Sequence, residues 1–272
     1  SKFEDQALKW DSPWGVGYPG WHIECSCISM KYCGEHLDIH CGGVDNAFPH
    51  HTNEIAQSEA YLGHPWCNYW MHVAHLDTAG GKMSKSKGGF TTVSTLEERG
   101  YDPLVYRLFC LQSHYRKALV FSWENLDKAA YDKLVSRVAA LTEAGAVDAQ
   151  AAAQYEAAFR EAVGNDLNTS LGVTALYDVL KADLNDATKR ALIASYDQVL
   201  GLELLERAAA RKEQQAQAAS GEGAAEIEAL IARRSEAKRA KDWGKADAIR
   251  DQLKAMGVEI KDTPNGVEWK RI

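Results

Sequence analysis

What this 272-residue chain lacks narrows its possibilities first. No apolar run approaches the roughly 20 residues that span a bilayer, and Ser1-Lys2-Phe3-Glu4-Asp5 has neither the basic nor the apolar part of a secretory signal, so a cytoplasmic protein is expected. No proline stands between Pro103 and Pro264, so the strongest helix breaker is absent from that whole interval. No cysteine follows Cys110; the six present (Cys25, Cys27, Cys33, Cys41, Cys67, Cys110) are gathered early, which argues for local chemistry over a disulfide framework. A basic surplus is missing too. The net charge is -7, which by itself does not point to nucleic acid. Its distribution says more: Glu226 to Ile272 holds eleven Lys/Arg against nine Asp/Glu, a mildly basic ending on an acidic body and compatible with an appended RNA-contacting module. At 46% hydrophobic, the chain has the composition of a globular protein with two or three domains.

What is present centres on Trp21 to Glu54. Cys25 offers a thiolate, and His50 and Glu54 stand four apart, on one face of a helix that Pro49 would start well. These are three candidate zinc ligands. The plainer alternative makes Cys25 a small buried apolar group, His50 a satisfied core histidine and Glu54 a first-turn carboxylate favoured by the helix dipole.

Taken in order, Ser1 to Pro19 is polar and turn-rich and reads as a loop, an abrupt start that suggests a piece of a longer protein. From Trp21 to Phe90, strand-like runs (Leu37 to His40, Tyr69 to Leu76) alternate with helical ones (Asn53 to Tyr61), the pattern of an α/β sheet. Gly80 to Gly89 is a glycine-flanked loop whose Lys82-Met83-Ser84-Lys85-Ser86 offers ammonium and hydroxyl groups to a polyphosphate; the alternative is a solvated basic turn. Beyond Thr91, helical periodicity predicts a bundle over Leu104 to Gln112, Trp123 to Leu141, Tyr155 to Val163, Leu171 to Leu184 and Ala191 to Leu205, broken by the capping residues Asn165 to Thr169. Ala208 to Ala225 reads as a linker with a joint at Ser220-Gly221-Glu222-Gly223. Then come helices over Glu226 to Ala240 and Trp243 to Met256, a Gly257 cap, and a hairpin about Asn265-Gly266.

Together these strings resemble the cysteinyl-tRNA synthetases, a family of class I aminoacyl-tRNA synthetases. The carriers are Gly20-Trp21-His22-Ile23-Glu24-Cys25-Ser26, Asp38-Ile39-His40, Phe48-Pro49-His50-His51 with Asn53-Glu54, Lys82 to Ser86, Asn165 to Thr169, and Ala240 to Arg271. The lysine string alone would only say class I synthetase; the Trp-His-Ile-Glu-Cys and Pro-His-His elements narrow it to the cysteine enzymes and their relatives. The His-Ile-Gly-His signature of the family's N-terminal half is not in this sequence, and Leu62-Gly63-His64-Pro65 does not substitute for it. Thr52 and Cys41 also depart from the family pattern.

The resemblance implies an α/β part, the C-terminal half of a Rossmann-like core, followed by an all-α part and a small α+β domain. The expected divisions are 1–92 (catalytic part with zinc site and lysine loop), 93–122 (stem contact), 123–207 (anticodon-binding bundle), 208–225 (linker) and 226–272 (anticodon contact). It implies one zinc ion on Cys25, His50 and Glu54 with a fourth ligand from the N-terminal half; Trp21, His40 and Asp45 around L-cysteine; and Lys85 and Lys82 as catalytic groups that bind ATP, carried with Mg2+, together with Ser84 and Ser86. Trp243, Asp247 and Arg250 would meet cysteine tRNA. The implied reaction activates cysteine as its adenylate and passes it to tRNA, by a chain expected to be monomeric and impaired without the other half. The other readings are a mycothiol-type cysteine ligase, and a non-catalytic half that binds RNA or a partner.

Overall fold

The computed structural model describes residues 8–78, 81–82, 92–220, 224–240, 242–263 and 266–271. The chain forms two compact units, Ser1–Ala129 with Arg160–Thr174, and Ala130–Phe159 with Ala175–Ile272. The first is α/β; the second is all-α with a small α+β ending. No helix among the described residues is long and apolar enough to cross a membrane.

Residues read as loop form a hairpin, β1 (Trp10–Ser12) antiparallel to β2 (Gly15–Gly17), with Ser12 opposite Gly15. Pro13 presets the turn, Ser12 Oγ donates to the Gly15 carbonyl at 2.6 Å and accepts from the Trp14 N–H at 3.2 Å, and Gly15 takes a φ of 105°. Three-residue strands between turn residues leave too short an alternation to read from sequence. Helix α1 (Trp21–Cys33) follows, stopped by Gly34 at φ 88°.

The centre of the unit is a parallel pair, β3 (Leu37–Gly43) and β4 (Cys67–Val73), joined through α2 (Thr52–Leu62). A parallel pair needs such a crossover. Between β3 and α2 lie a 3-10 turn, Val44–Asn46, and a wide turn, Ala47–His51, in which Phe48 alone leaves helical geometry. Helical backbone therefore begins at Pro49, the position where a missing N–H costs nothing. Gly63, left-handed at φ 75°, ends α2.

The strand expected over Tyr69 to Leu76 is split: β4 ends at Val73, and β5 (Leu76–Thr78) belongs to another sheet, between β6 (Gly81–Lys82) and β7 (Leu119–Phe121). The Ala74 N–H bonds out to the Tyr115 carbonyl at 2.8 Å, which takes the chain out of β4's ladder. Short capped helices follow: α3 (Val93–Glu98) with a Thr92–Thr95 capping box, α4 (Pro103–Leu111) on Asp102 and α5 (Trp123–Lys128) on Ser122.

In the second unit, the helix expected from Trp123 to Leu141 is two, because Ala130 turns left-handed (φ 55°) before α6 (Tyr131–Ala139). No glycine or asparagine announces that turn. The break after α7 (Ala149–Gly164) falls where its capping residues predict it, with Asp166 and Leu167 both left-handed before α8 (Thr169–Lys181). Helix α9 (Asp186–Leu200) stops short of the expected Leu205 because Gly201 caps it. The Asp197 carboxylate then accepts from the Leu202 and Leu204 N–H groups, each at 2.6 Å, and seats the start of α10 (Leu204–Ser220).

That helix covers most of the stretch read as a linker. Its alanines and glutamines are good helix formers, and Ala208 is buried. Gly221 to Gly223 lies outside the described residues. Leu134, Val138, Leu176, Val179, Leu192, Ile193 and Tyr196 form a buried apolar interior.

The ending matches its reading: α11 (Ala224–Arg239), α12 (Trp243–Ala255), Gly257 at φ 72°, and β8 (Val258–Thr263) antiparallel to β9 (Gly266–Arg271). Ile227, Leu230, Ile249, Leu253 and Val258 make its core, with Trp269 packed against it.

Candidate metal and substrate site

Glu54 is the floor of the site. It sits in the first turn of α2 with its side chain wholly buried. Burial raises the carboxyl above its ordinary range, and His50 opposes that rise. His50 Nε2 lies 2.7 Å from Oε1 and His40 Nε2 lies 2.9 Å from Oε2, yet neither oxygen has a partner in hydrogen-bonding geometry. A fully buried carboxylate without a hydrogen bond is expensive unless a cation meets it.

Cys25 comes to this floor on α1. Its Sγ, a ring nitrogen of His50 and a carboxylate oxygen of Glu54 lie within 4.8 Å of one another. Burial, then Glu54, then Glu24 raise the thiol, so a nearby cation is what would favour the thiolate. Behind the pair, Ser58 Oγ donates to Ser26 Oγ at 3.1 Å, both buried, and fixes α2 against α1 one residue from Cys25 and one turn from Glu54.

The sequence reading missed His51. It is 3% exposed and His51 Nδ1 sits 2.9 Å from His72 Nε2. Burial, with His40, His72 and His50 around it, holds its imidazole down at about 4, neutral at pH 7. His40, also lowered by burial, joins His51 and Glu54 in a second group whose ligand atoms lie within 4.8 Å of one another. His22 Nδ1 meets His50 Nδ1 at 2.7 Å. A signal for these existed: all nine histidines stand at or before His114, as the cysteines stand at or before Cys110. Gly42 matters sterically, since a Cβ there would come within 2.8 Å of the His51 ring and of Asn46 Nδ2.

The other sequence-chosen residues separate into three groups. Trp21 begins α1 and is 76% exposed, so in this chain it is no buried wall. Asp45 lies on the 3-10 turn, exposed to solvent, 3.5 Å from His75 Nε2. Lys82 ends β6; Ser84, Lys85 and Ser86 lie outside the described residues. Trp243, Asp247 and Arg250 share the exposed face of α12, opposite buried Ala246, Ile249 and Leu253.

With this geometry in hand, comparison with known proteins places the chain. Residues 1–131 match the model of the family described as tRNA synthetases class I (C) catalytic domain, which makes this a class I tRNA synthetase chain. Residues 220–269 match the cysteinyl-tRNA ligase anticodon binding domain. Cysteine--tRNA ligase 1 of Burkholderia lata is 44% identical over 262 residues, covering 95% of this chain and 53% of that protein. The cysteine--tRNA ligase of Symbiobacterium thermophilum is 45% identical, covering 96% and 58%. The chain belongs to the cysteine--tRNA ligase family, and it spans a little over half the length of these relatives. A solved ternary complex, Agrobacterium radiobacter K84 agnB2 LeuRS-tRNA-LeuAMS, aligns over 74% of this chain and 34% of that one, with a TM-score of 0.47 and 13% identity.

Proposed function

We propose that this chain carries the amino-acid-selecting half of an enzyme that activates cysteine with ATP and joins it to its tRNA. One observation carries the reading: a thiol, an imidazole and a wholly buried carboxylate without hydrogen bonds, from two helices and a turn, meet within 4.8 Å. That donor set fits zinc, which takes sulfur, nitrogen and oxygen ligands, keeps a position open when only three are protein groups, and needs its cysteine deprotonated. Bound there, zinc supplies a ligand bond to the substrate's thiolate that the hydroxyl of serine makes poorly. A site built on a bond the competitor cannot make discriminates by about 10⁴ without editing.

The chain's own residues do the rest. Cys25, His50 and Glu54 hold the ion; His40 lies beside the far oxygen of Glu54; Asp45 faces the substrate amine, and Trp21 closes over the side chain once the site is assembled. Lys85, helped by Lys82, Ser84 and Ser86, binds the phosphates of the ATP that Mg2+ accompanies and offsets charge as pyrophosphate leaves. Residues 1–92 form the catalytic part and 226–272 reach the tRNA, where the exposed face of α12 suits base stacking by Trp243 and polar contacts by Asp247 and Arg250. The mycothiol-type reading loses ground because residues 220–269 match an anticodon-binding family.

Cysteine-dependent exchange of pyrophosphate into ATP tests the proposal, with and without the N-terminal half of a relative added as a separate chain. Exchange is expected in the mixture, with cysteine preferred over serine and activity lowered roughly 100-fold or more by Lys85→Ala, the size of one lost electrostatic donor. Exchange equal for both amino acids would contradict it.

A further inference from the structure

The string Asn165 to Thr169 has no part in the proposed function, yet its backbone is strained. Asp166 and Leu167 take φ values of 56° and 54°, two successive left-handed residues. Side chains disfavour that region, and such strain persists only where the surroundings hold it. Here one carboxylate is held from three sides. Arg116 donates to both oxygens of Asp166, Tyr115 Oη donates to Oδ1 at 2.6 Å, and His114 Nε2 stands 3.8 Å from Oδ2.

Those three side chains belong to a turn that the Lys117 N–H closes on the His114 carbonyl at 2.9 Å. The backbone around this turn sets where the chain leaves one sheet for the next. The Tyr115 carbonyl accepts the Ala74 N–H at 2.8 Å, and the Leu119 N–H donates to the His75 carbonyl at 3.0 Å. Ala74 and His75 are the two residues between β4 and β5. From that junction β5 runs beside β7, and its Asp77 pairs in register with Lys82 of β6, where the lysine string begins. A cavity of about 400 Å3 lies against the junction, lined among others by Leu76, Leu111, Tyr115, Leu119 and Leu167. Apolar packing alone therefore does not fix it.

We propose that Asp166 is a positioning residue for the ATP-dependent step: through Arg116 and Tyr115 it sets the β4–β5 junction, and through β5 the place from which the lysine string starts. This role rests on the lysine–phosphate contact of the proposed function. Arg116 and Asp166 are 61% and 44% exposed, so their pairing contributes little to stability and its effect on geometry can be read separately.

The test is cysteine-dependent pyrophosphate exchange by the full chain mixed with the N-terminal half of a relative, ATP and cysteine being varied separately, beside urea unfolding of the same chains. Asp166→Asn keeps a residue that tolerates left-handed backbone and removes the charge; Arg116→Gln removes the partner, and carries the test if the first variant does not fold. Each should lower kcat/KM for ATP by roughly 10- to 100-fold, the cost of misplacing a reacting group by about 1 Å. KM for cysteine should stay as it was and the urea midpoint should barely move. The double variant should lose no more than the single ones, because both act through one contact. A loss shared equally by ATP and cysteine, or one that follows a fall in stability, would show a structural role and overturn the inference. So would unchanged ATP kinetics in both variants while Lys85→Ala still lowers exchange, and the proposed function would then stand. If the unaltered chain gives no exchange in the mixture, the proposed function fails and the positioning role with it.

Discussion

The crevice between α1 and α2 and the interior of the helical unit are both buried, and they are made of different materials. The ligand Glu54 and its neighbours Ser26, Ser58 and His51 are all polar and each 3% exposed or less. The helical interior is leucine, isoleucine and valine, and its phenols are paired: Tyr131 Oη donates to the Leu202 carbonyl and Tyr196 Oη to the Tyr155 carbonyl, both at 2.6 Å. One region is built to fold, with burial of carbon as its driving force. The other accepts the desolvation of a carboxylate and a buried imidazole, a cost that is repaid when a cation arrives.

This contrast can be broken by substitution. Leu192→Ala, in the apolar interior at 1% exposure, should cost about 2–5 kcal/mol in urea unfolding and leave metal content unchanged. A loss of metal would show that the two regions are not independent. Ser58→Ala leaves Ser26 buried without its partner and should cost about 1–3 kcal/mol, with the double replacement Ser26→Ala, Ser58→Ala costing less than the single one. Equal or greater loss in the double variant would contradict a hydrogen bond as the pin. Tyr196→Phe should cost about 0.5–1.5 kcal/mol, because a deleted hydroxyl frees only the Tyr155 carbonyl; its ring still stacks on Phe159 at 4.0 Å.

The smallest effect lies at the surface. Arg116 bonds Asp166 through Nε at 2.5 Å and Nη2 at 3.2 Å, and Tyr115 Oη donates to it at 2.6 Å. These hold its carboxyl down from 3.8 to about 2, the Arg116 bond first and Tyr115 next. A depressed carboxylate contributes stability above its unfolded value and loses it as pH falls toward the folded one. The stability difference between the native chain and Asp166→Asn should therefore be flat above about pH 5 and fade between 3.8 and about 2. An exposed pair makes that difference small and sensitive to salt. A carboxyl titrating at its ordinary value by NMR would remove the argument.

How much of this was legible in sequence depends on the period of the signal. The bundle, the tail helices and the closing hairpin announce themselves through helical spacing, Gly257 and Asn265-Gly266. The helix end set by left-handed Ala130 leaves no local mark, so Trp123 to Leu141 reads as one helix; Gly201 does mark the end of α9, but the apolar spacing that continues through Leu202 and Leu204 carries the reading past it to Leu205. In the candidate site, Cys25, His50 and Glu54 are visible because two of them are four apart on a helix. His51 was not, since its role comes from Gly42 and His72, which β3 and β4 set opposite one another in register. The composition of α10 suggested a joint, but alanine and glutamine serve a helix equally well.

The central claim is that Cys25, His50 and Glu54 hold one ion between them. X-ray absorption at the zinc edge, on the chain loaded with a single equivalent, addresses it most directly. The account predicts one sulfur at about 2.3 Å with nitrogen and oxygen neighbours at about 2.0–2.2 Å, and loss of the sulfur shell in Cys25→Ser. A shell of light atoms alone in the unaltered chain would contradict it.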